Sequence, residues 1–462
     1  MMSEWSAESK KTLYAVLLTT FQAPFMGSAL VLAVPAIGAD LKAGAVELSW
    51  VMNAYILSTA AFLLPAGSLA DAIGRRRLFW SGSLLMTLLS WAAVAAPSIE
   101  VLLLMRVLQG VASAMVFSTG MAILSDVFPA KERGKVFGYA AAVTYLGLSA
   151  GPVLGGFISG ALGWRWLFVL PALLSLAAAA VVFHWRRVAN QAGATGRRLD
   201  PVGTAVYLVG LPLALWGLSK IGTTSFAVPA LVAGLVLLVV FVLVQLRTKH
   251  PLLALSDFAG NSIFIFSSIA AAIQYASTFG LGFLVSLQLQ VGRQMSVSEA
   301  GWVMLAQPAV MAIFSPIAGS LSDRIQPRIL ASSGMALSTL GLLAFVWVDS
   351  GTPLWVTVAA LGVVGMGFAF FSSPNSNSIM SSVLPRQYGT ASAVLSTVRM
   401  VGQSFSMAVT TLLIGLFVGN ASLEGVSSVE LGRATQISFI VFSALCALGV
   451  AASMARGDLK RG

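Results

Sequence analysis

The stretch GSLADAIGRRR, residues 67–77, places one acid and three arginines close together in a chain of which only 9% is charged. Gly67 and Gly74 permit close approach and unusual backbone angles. Asp71 can accept hydrogen bonds from a neighbouring helix N-terminus or pair with Arg75. Such contacts could hold one arrangement of packed helices and break in another. A second string, GSLSDRI at 319–325, repeats the pattern. We therefore predict a conformational latch at Gly67, Asp71, Gly74, Arg75, Asp323 and Arg324; the alternative is that the arginines only fix topology.

Two further arginines lie inside apolar runs, Arg106 in VLLLMRVLQG and Arg399 in STVRMVGQSF. A charge within a membrane span is costly, so each should face an interior cavity and find a partner. Gln109 follows Arg106, and Gln403 lies one turn after Arg399 on the same helix face. These four residues are the predicted central cavity and coupling site.

The partners of the two arginines are hard to find in the sequence, because all sixteen acids lie in loops or at span ends. Two buried arginines without a buried carboxylate would favour an anionic or strongly polar substrate, or a cage of backbone carbonyls. Other interpretations are that Arg106 reaches the surface beside Glu100 and that Arg399 packs against Asn375 or Asn377.

Other polar and aromatic residues are scattered through the central apolar runs. Each one alone fits helix packing, but as a set they fit a mixed polar and aromatic cavity. The polar stretch SSPNSNSIMSS, residues 372–382, is open to the same two interpretations. The predicted substrate-binding residues of this group are Gln22, Asn53, Tyr55, Tyr145, Gln274, Gln307, Asn375 and Asn377.

The elements that carry these residues follow from hydropathy. The chain of 462 residues is 58% hydrophobic and has a mean hydropathy of +0.90. This hydrophobic fraction is higher than that of a typical soluble domain. A span needs about 20 apolar residues, and such runs must be helices. We predict an all-α polytopic membrane protein with fourteen spans, at 13–36, 48–70, 78–96, 101–125, 135–161, 166–185, 203–220, 226–246, 261–289, 298–319, 329–347, 354–380, 390–418 and 434–455.

The basic excess of the chain follows its topology. Twenty Lys and Arg residues, Arg456 among them, fall in segments on the side of the N-terminus. The other side carries five, at Lys42, Arg165, Lys220, Arg293 and Arg433. By the positive-inside rule both termini are cytoplasmic, in a cell membrane. The net charge of +11 therefore does not predict nucleic-acid binding, since no basic segment carries a recognition motif.

Catalytic and metal-binding patterns are scarce. The single cysteine, Cys446, lies in an apolar run, so it predicts neither a disulfide within the chain nor a thiol metal site. No zinc motif, nucleotide loop or Ser/His/Asp set stands out. We expect no enzymatic activity, no metal and no cofactor.

The two GSL strings lie eight predicted spans apart, which places both on the same side. A separation of eight spans corresponds to one six-helix half plus two additional spans. The chain is therefore predicted to consist of two six-helix halves with a two-helix insert. The predicted domains are an N-terminal bundle at 1–190, a linker with two additional spans at 191–258, and a C-terminal bundle at 259–462.

These motifs resemble the major facilitator superfamily, and within it the fourteen-span drug:proton antiporters. GSLADAIGRRR is similar to the loop signature after the second span, and RVLQGVASA, residues 106–114, to the fourth-span signature. The stretch 145–171 resembles the fifth-span antiporter signature, whose predicted residues here are Gly147, Gly151, Pro152, Gly155 and Gly156. Their small-residue spacing and bend fit a tight contact between the halves. Where the family commonly has a first-span Asp, this chain has Met26, another substrate-binding candidate.

The resemblance implies the major facilitator fold and a secondary transporter that works by alternating access. It implies proton-coupled efflux of small amphipathic compounds, as in multidrug exporters. Met26 weakens the case for protons and for cationic drugs. The alternatives are a transporter of an organic anion or lipid-like amphiphile held by two arginines, and a membrane sensor that does not transport. The expected partners are a small molecule, the lipid bilayer and protons, and the expected state is a monomer.

Overall fold

A computed structural model describes residues 5–187, 200–248, 251–253, 258–322, 324–384, 387–419 and 427–457. In this part of the chain fourteen helices are long and apolar enough to cross a membrane. We number them α1 to α14, and they are Ala7–Leu41, Ala45–Ile73, Arg75–Val94, Ile99–Val127, Ala130–Ala161, Trp164–Val181, Pro201–Ser219, Ala227–Arg247, Ser262–Gly292, Val297–Ser322, Pro327–Trp347, Leu354–Ser381, Tyr388–Phe417 and Ser428–Met454.

The predicted all-α fold with fourteen spans is confirmed, and each predicted bound lies within six residues of the observed one. The sixth span was predicted to reach residue 185. Instead α6 ends at Val181, and a separate 3₁₀ helix, Phe183–Arg187, follows it. The ninth span was predicted to end at residue 289, but α9 continues through a π-helical turn, Gln288–Gly292. Such π turns are rare and are frequently found at functional sites.

The helices form two bundles, which we call the first bundle (α1–α6) and the second bundle (α9–α14). The bundles meet along two main seams, one between α2 and α13 and the other between α5 and α10, and α1 also contacts α9. The inserted pair α7 and α8 packs together against the outside of the α2–α13 seam. Its Tyr207 hydroxyl donates to the carbonyl oxygen of Ala60 in α2 at 3.1 Å.

The apolar core has a different extent at the two ends of the molecule. We call the face where α1 begins and α14 ends the basic face, and the other end the opposite face. Towards the opposite face a single core joins both bundles and includes Phe25, Leu48, Leu284 and Ile414. Towards the basic face the core divides into one cluster within the first bundle and another within the second. The bundles therefore share one core at the opposite face, whereas towards the basic face a smaller cluster still joins α2 to α13 through α7.

Glycines of α5 allow close backbone approach on two sides. A Cβ atom at Gly147 would lie 2.6 Å from the carbonyl oxygen of Phe21, and one at Gly155 would lie 2.5 Å from the Cβ of Ala29. Gly151 meets Ser28 in the same way. These three glycines are spaced by four residues and therefore share one face, which packs on α1 within the first bundle.

Helix α5 contacts α10 of the second bundle through residues that lie outside this glycine face. A Cβ atom at Gly156 would lie 3.0 Å from the carbonyl oxygen of Val297, and one at Gly301 would lie 2.4 Å from that of Pro152. The expectation that the whole glycine set lies between the halves is therefore wrong for Gly147, Gly151 and Gly155. Pro152 and Gly156 point away from that face, because successive helix residues turn by about 100°.

The packing of α5 makes a testable prediction. Replacing Gly147 by Ala forces a Cβ atom against the α1 backbone. Overpacking of this kind lowers the free energy of unfolding by about 1–3 kcal/mol. A fall in the melting temperature of the purified protein would record this. Gly138 lies in the same helix with nothing within 4 Å of its Cβ position. Gly138→Ala should therefore hold or raise the melting temperature, since Ala favours helix. Equal effects of the two variants would contradict the account.

Candidate functional site

Arg106 is buried inside the first bundle, with 2% of its surface exposed. Its Nε donates to the carbonyl oxygen of Val51 at 2.9 Å, and an Nη donates to Oε1 of Gln109 at 2.9 Å. Its guanidinium lies 4.3 Å from the ring centre of Tyr55, a distance suited to a cation–π interaction. The interpretation that Arg106 reaches the surface beside Glu100 is therefore wrong.

Gln109 extends this group to a third helix, because its Nε2 donates to Oγ of Ser90 in α3 at 3.1 Å. The Tyr55 hydroxyl in turn lies 2.7 Å from Oγ of Ser113 in α4. Helices α2, α3 and α4 thus hold one guanidinium with neutral groups. One of these is the Val51 backbone carbonyl and the others are side chains, so the arrangement is not a cage of backbone carbonyls.

Arg399 lies in α13, half-buried, with its guanidinium 5.1 Å from the ring centre of Tyr275 in α9. Its Nε is buried and has no hydrogen-bond partner in the described part of the chain. Tyr145 of α5 lies close enough to Tyr275 for an electrostatic interaction. This second arginine–tyrosine pair therefore belongs to the second bundle and adjoins a residue of the first. Gln403 is half-buried on the same helix.

The predicted substrate-binding residues do not form a single group. Gln22 and Tyr55 line a small cavity of about 10 Å³ together with Ser113 and Ser175, which is room for about one water molecule. The Ser175 hydroxyl donates to Oε1 of Gln22 at 2.5 Å. Asn53 is fully buried elsewhere on α2, with neither side-chain polar atom bonded.

The remaining candidates have structural surroundings of their own. Gln274 donates to Oγ of Ser338 at 2.9 Å within the second bundle. Met26 lies in the core shared by both bundles. Gln307 is half-buried, and its backbone packs against Gly365 of α12. In this conformation these three lie apart from the cavity at Gln22 and Tyr55.

Asp71 pairs with Arg75 at 3.4 Å, as predicted, and Arg75 also pairs with Asp126 of α4 at 3.0 Å. Gly74 has a φ of 102°, which only glycine adopts at low cost, and it links α2 to α3 directly. These ion pairs all lie inside the first bundle, so they do not tie the two bundles together. Asp323 lies outside the described residues, and Arg324 is exposed at the end of α10.

Sequence reasoning missed a third buried arginine, Arg456, which it placed among loop residues. Arg456 is 1% exposed and donates to Oδ1 of Asn375 at 3.0 Å and to Oγ of Ser267 at 3.3 Å. It also bonds Ser453 and Ser378. Burial, together with the neighbouring guanidinium of Arg328, lowers the pKa of Arg456 to about 10, so it remains charged at neutral pH.

The polar stretch in α12 supplies hydrogen-bond partners both to the Arg456 side chain and to a serine of α10. Asn375 also donates to the carbonyl oxygen of Ser267 at 3.1 Å, and Asn377 donates to Oγ of Ser322 at 3.1 Å. The interpretation that Asn375 or Asn377 serves Arg399 is therefore wrong. An unexplained polar run inside a span was the signal that a buried cation lay nearby.

Carboxylates are confined to the ends of the helices. Every described Asp or Glu lies within three residues of a helix end or in a connection between helices. The deep charges in the described spans, at Arg106 and Arg399, are thus positive. A positive potential in the interior favours anionic or strongly polar groups there.

Neutral hydrogen bonds join the bundles near the opposite face. The hydroxyls of Ser49 in α2 and Thr411 in α13 lie 2.8 Å apart. Ser286 of α9 donates to the carbonyl oxygen of Val31 at 2.9 Å, which is available because Pro35, four residues later, has no N–H. Gln290 in the π turn donates to the carbonyl oxygen of Leu32 at 3.0 Å.

A comparison with family models matches residues 16–246 and 267–458 of the chain to the Major Facilitator Superfamily. Among solved structures, the chain is similar to an autoinhibited peptide transporter of the POT family. That likeness has a TM-score of 0.73 at 17% identity and covers 99% of each chain, so it supports the fold alone.

Curated relatives include transporters with different named substrates. The riboflavin transporter RibZ of Clostridioides difficile is 29% identical over 84% of each chain. The multidrug resistance protein Stp of Mycobacterium tuberculosis is 31% identical over 85% of this chain and 73% of its own. The puromycin resistance protein pur8 of Streptomyces alboniger is 30% identical over 83% of this chain and 77% of its own.

The hydrogen-bond network of Arg456 predicts that this residue contributes strongly to the stability of the protein. Arg456→Ala should lower the melting temperature, because a buried hydrogen bond to a charged group contributes about 1.5–3 kcal/mol and Asn375 would lose its partner. Arg433 is exposed at the opposite face, so Arg433→Ala removes the same charge without a buried network. A melting temperature of Arg456→Ala equal to that of Arg433→Ala would show that the network is not stabilising.

Proposed function

Because the chain belongs to the Major Facilitator Superfamily, we propose that it exports small amphipathic compounds across the cell membrane by alternating access. In this proposal the basic face is cytoplasmic, following the positive-inside rule. Both termini then lie in the cytoplasm, and the protein works as a monomer. Protons are the proposed coupling ion, as the resemblance to drug:proton antiporters implies.

One observation carries the proposal of alternating access: the core joins both bundles at the opposite face and divides towards the basic face. This arrangement is what a transporter closed on its outer side requires. The bonds that join the bundles there, such as Ser49 to Thr411, are neutral and few. Such bonds can exchange with water when the bundles tilt, at a small net cost per bond.

The names of the relatives support a small organic substrate but not one compound. Multidrug and puromycin resistance proteins of about 30% identity support export of amphipathic drugs. A riboflavin transporter of similar identity supports a planar, uncharged, hydrogen-bonding compound. The common chemistry is a small molecule with an aromatic body and polar groups.

A second candidate function follows from the charges. Arg106 and Arg399 are the deep charges of the described spans, and no described carboxylate lies beside them. A cationic substrate would find no counter-charge there, whereas an organic anion or anionic lipid-like amphiphile would. Arg399 is the better partner, since its Nε has no hydrogen bond to any described residue while Arg106 is bonded to Val51 and Gln109.

Cross-linking the seam tests alternating access. In a Cys446→Ser background, the pair Ser49→Cys and Thr411→Cys should form a disulfide on oxidation, because the two hydroxyls lie 2.8 Å apart. Uptake into proteoliposomes should then stop and return after reduction.

The matched control for this experiment is the pair Ser332→Cys and Ser453→Cys, whose hydroxyls are also 2.8 Å apart but lie within the second bundle. Its oxidation should leave transport equal to that of the same variant in the reduced form, a comparison in which the altered bond between Ser453 and Arg456 is common to both. Full transport by the oxidised Ser49–Thr411 pair would refute the rocking of the bundles.

A panel of probes in proteoliposomes tests substrate charge and coupling. Ethidium is the cationic probe and anilinonaphthalene sulfonate is the anionic probe. Riboflavin and puromycin are included because two relatives are named for them. If the arginines bind an anion, Arg399→Gln should lower the rate of sulfonate transport about tenfold or more, because loss of one hydrogen bond to a charged group has an effect of that size. Arg399→Lys keeps the positive charge and should retain part of the rate. Ethidium transport unaffected by loss of either arginine would exclude the anion hypothesis. Rates unchanged by an imposed pH gradient would exclude proton antiport.

A further inference from the structure

Asn53 is an unusual residue in the interior of this protein. Its side chain is 0% exposed, yet neither the amide nitrogen nor the amide oxygen has a hydrogen-bond partner in the described part of the chain. Buried amides are almost always bonded, and an unbonded one is destabilising. Asn375, in contrast, is 1% exposed and uses both ends of its amide, towards Ser267 and Arg456.

The position of Asn53 follows from the register of α2 and α13. Ser49 and Thr411 are hydrogen-bonded across the seam, and the two helices are antiparallel. Asn53 lies four residues after Ser49, and Ser404 lies seven before Thr411, so both share the faces that carry this bond. At 1.5 Å per residue they lie about 6 Å and about 10.5 Å from it, in the same direction.

Ser404 has the same property as Asn53. It is 0% exposed, and its hydroxyl has no hydrogen-bond partner among the described residues. The two unbonded groups are therefore separated by about 4.5 Å along the seam. A single planar group of a small molecule can span that separation. Arg399 lies five residues before Ser404 in the chain, which places it about 7.5 Å further towards the basic face.

Lipid is kept away from this part of the seam by the inserted helices. Tyr207 and Leu211 of α7 form one core cluster with Leu57 of α2 and Ala408 of α13. Tyr207 also donates a hydrogen bond to the backbone of α2. The polar groups of Asn53 and Ser404 therefore belong to the interior between the bundles and not to the lipid surface.

We propose that Asn53 and Ser404 form a binding subsite for the neutral amide or imide group of the transported compound. An asparagine amide presents a donor and an acceptor side by side, which complements the donor and acceptor of a cyclic amide or imide. The serine hydroxyl adds a donor or acceptor next to it. The subsite deepens the proposed export function, on which it rests, by naming one polar group of the substrate.

Thermal stability separates a binding role from a structural one. Asn53→Leu should keep or raise the melting temperature, because the amide it removes has no bond to any residue that the structure describes. Asn375→Leu is the matched control and should lower the melting temperature, because its amide nitrogen and its amide oxygen are both hydrogen-bonded. A fall with Asn53→Leu as large as with Asn375→Leu would overturn the proposal, since it would show that Asn53 has a structural partner.

Equilibrium binding in lipid nanodiscs tests the chemistry of the subsite. The probes are riboflavin, whose ring carries an imide, and its N3-methyl derivative, in which the imide N–H is blocked. The unaltered protein should bind riboflavin about tenfold more tightly than the methyl derivative. Asn53→Leu should remove that difference, and Ser404→Ala should reduce it.

Two results would contradict the subsite: equal or absent binding of both probes by the unaltered protein, or an undiminished preference in Asn53→Leu. Failure of the export function appears in a different measurement. In that case the unaltered protein moves no probe of the proteoliposome panel, whatever the binding results are.

Discussion

Guanidinium groups in an apolar interior must be satisfied, and in the described part of this protein their partners are neutral. Arg106 uses a backbone carbonyl, a glutamine and a tyrosine ring, and Arg456 uses serine and asparagine side chains. A carboxylate partner would cancel the charge, whereas these dipoles stabilise it without cancelling it. The interior therefore keeps a positive potential, and the polar residues of five or more helices are committed to holding it.

The same use of neutral partners explains how the two bundles close. Hydroxyl, amide and carbonyl groups join α1 and α2 to α9 and α13, while Gly156 and Gly301 bring α5 and α10 into backbone contact. Ion pairs at the basic face, between Asp71, Arg75 and Asp126, stay within the first bundle. Among the described residues the ion pairs lie within the first bundle, so opening this closure breaks neutral bonds and packing, which suits a structure that must open in each cycle.

The fold was predictable because hydropathy is a local property, and fourteen runs of sufficient length are visible without tertiary information. Arg106 and Arg399 were found for the same reason, since a charge inside an apolar run is conspicuous. Arg456 was not, because it follows the last span and only the fold brings it to Asn375. The face of Gly147, Gly151 and Gly155 was assigned to the wrong neighbour, since helical spacing gives a shared face but not the helix it meets.

Distance measurements between spin labels test the central claim, that the bundles rock about a neutral seam. In a cysteine-free background, one label pair at Lys42 and Arg433 reports on the opposite face, and another at Arg77 and Ile329 reports on the basic face. Adding a transported probe should lengthen the first distance while it shortens the second. Distributions that stay unchanged, or that lengthen together at both faces, would contradict the account.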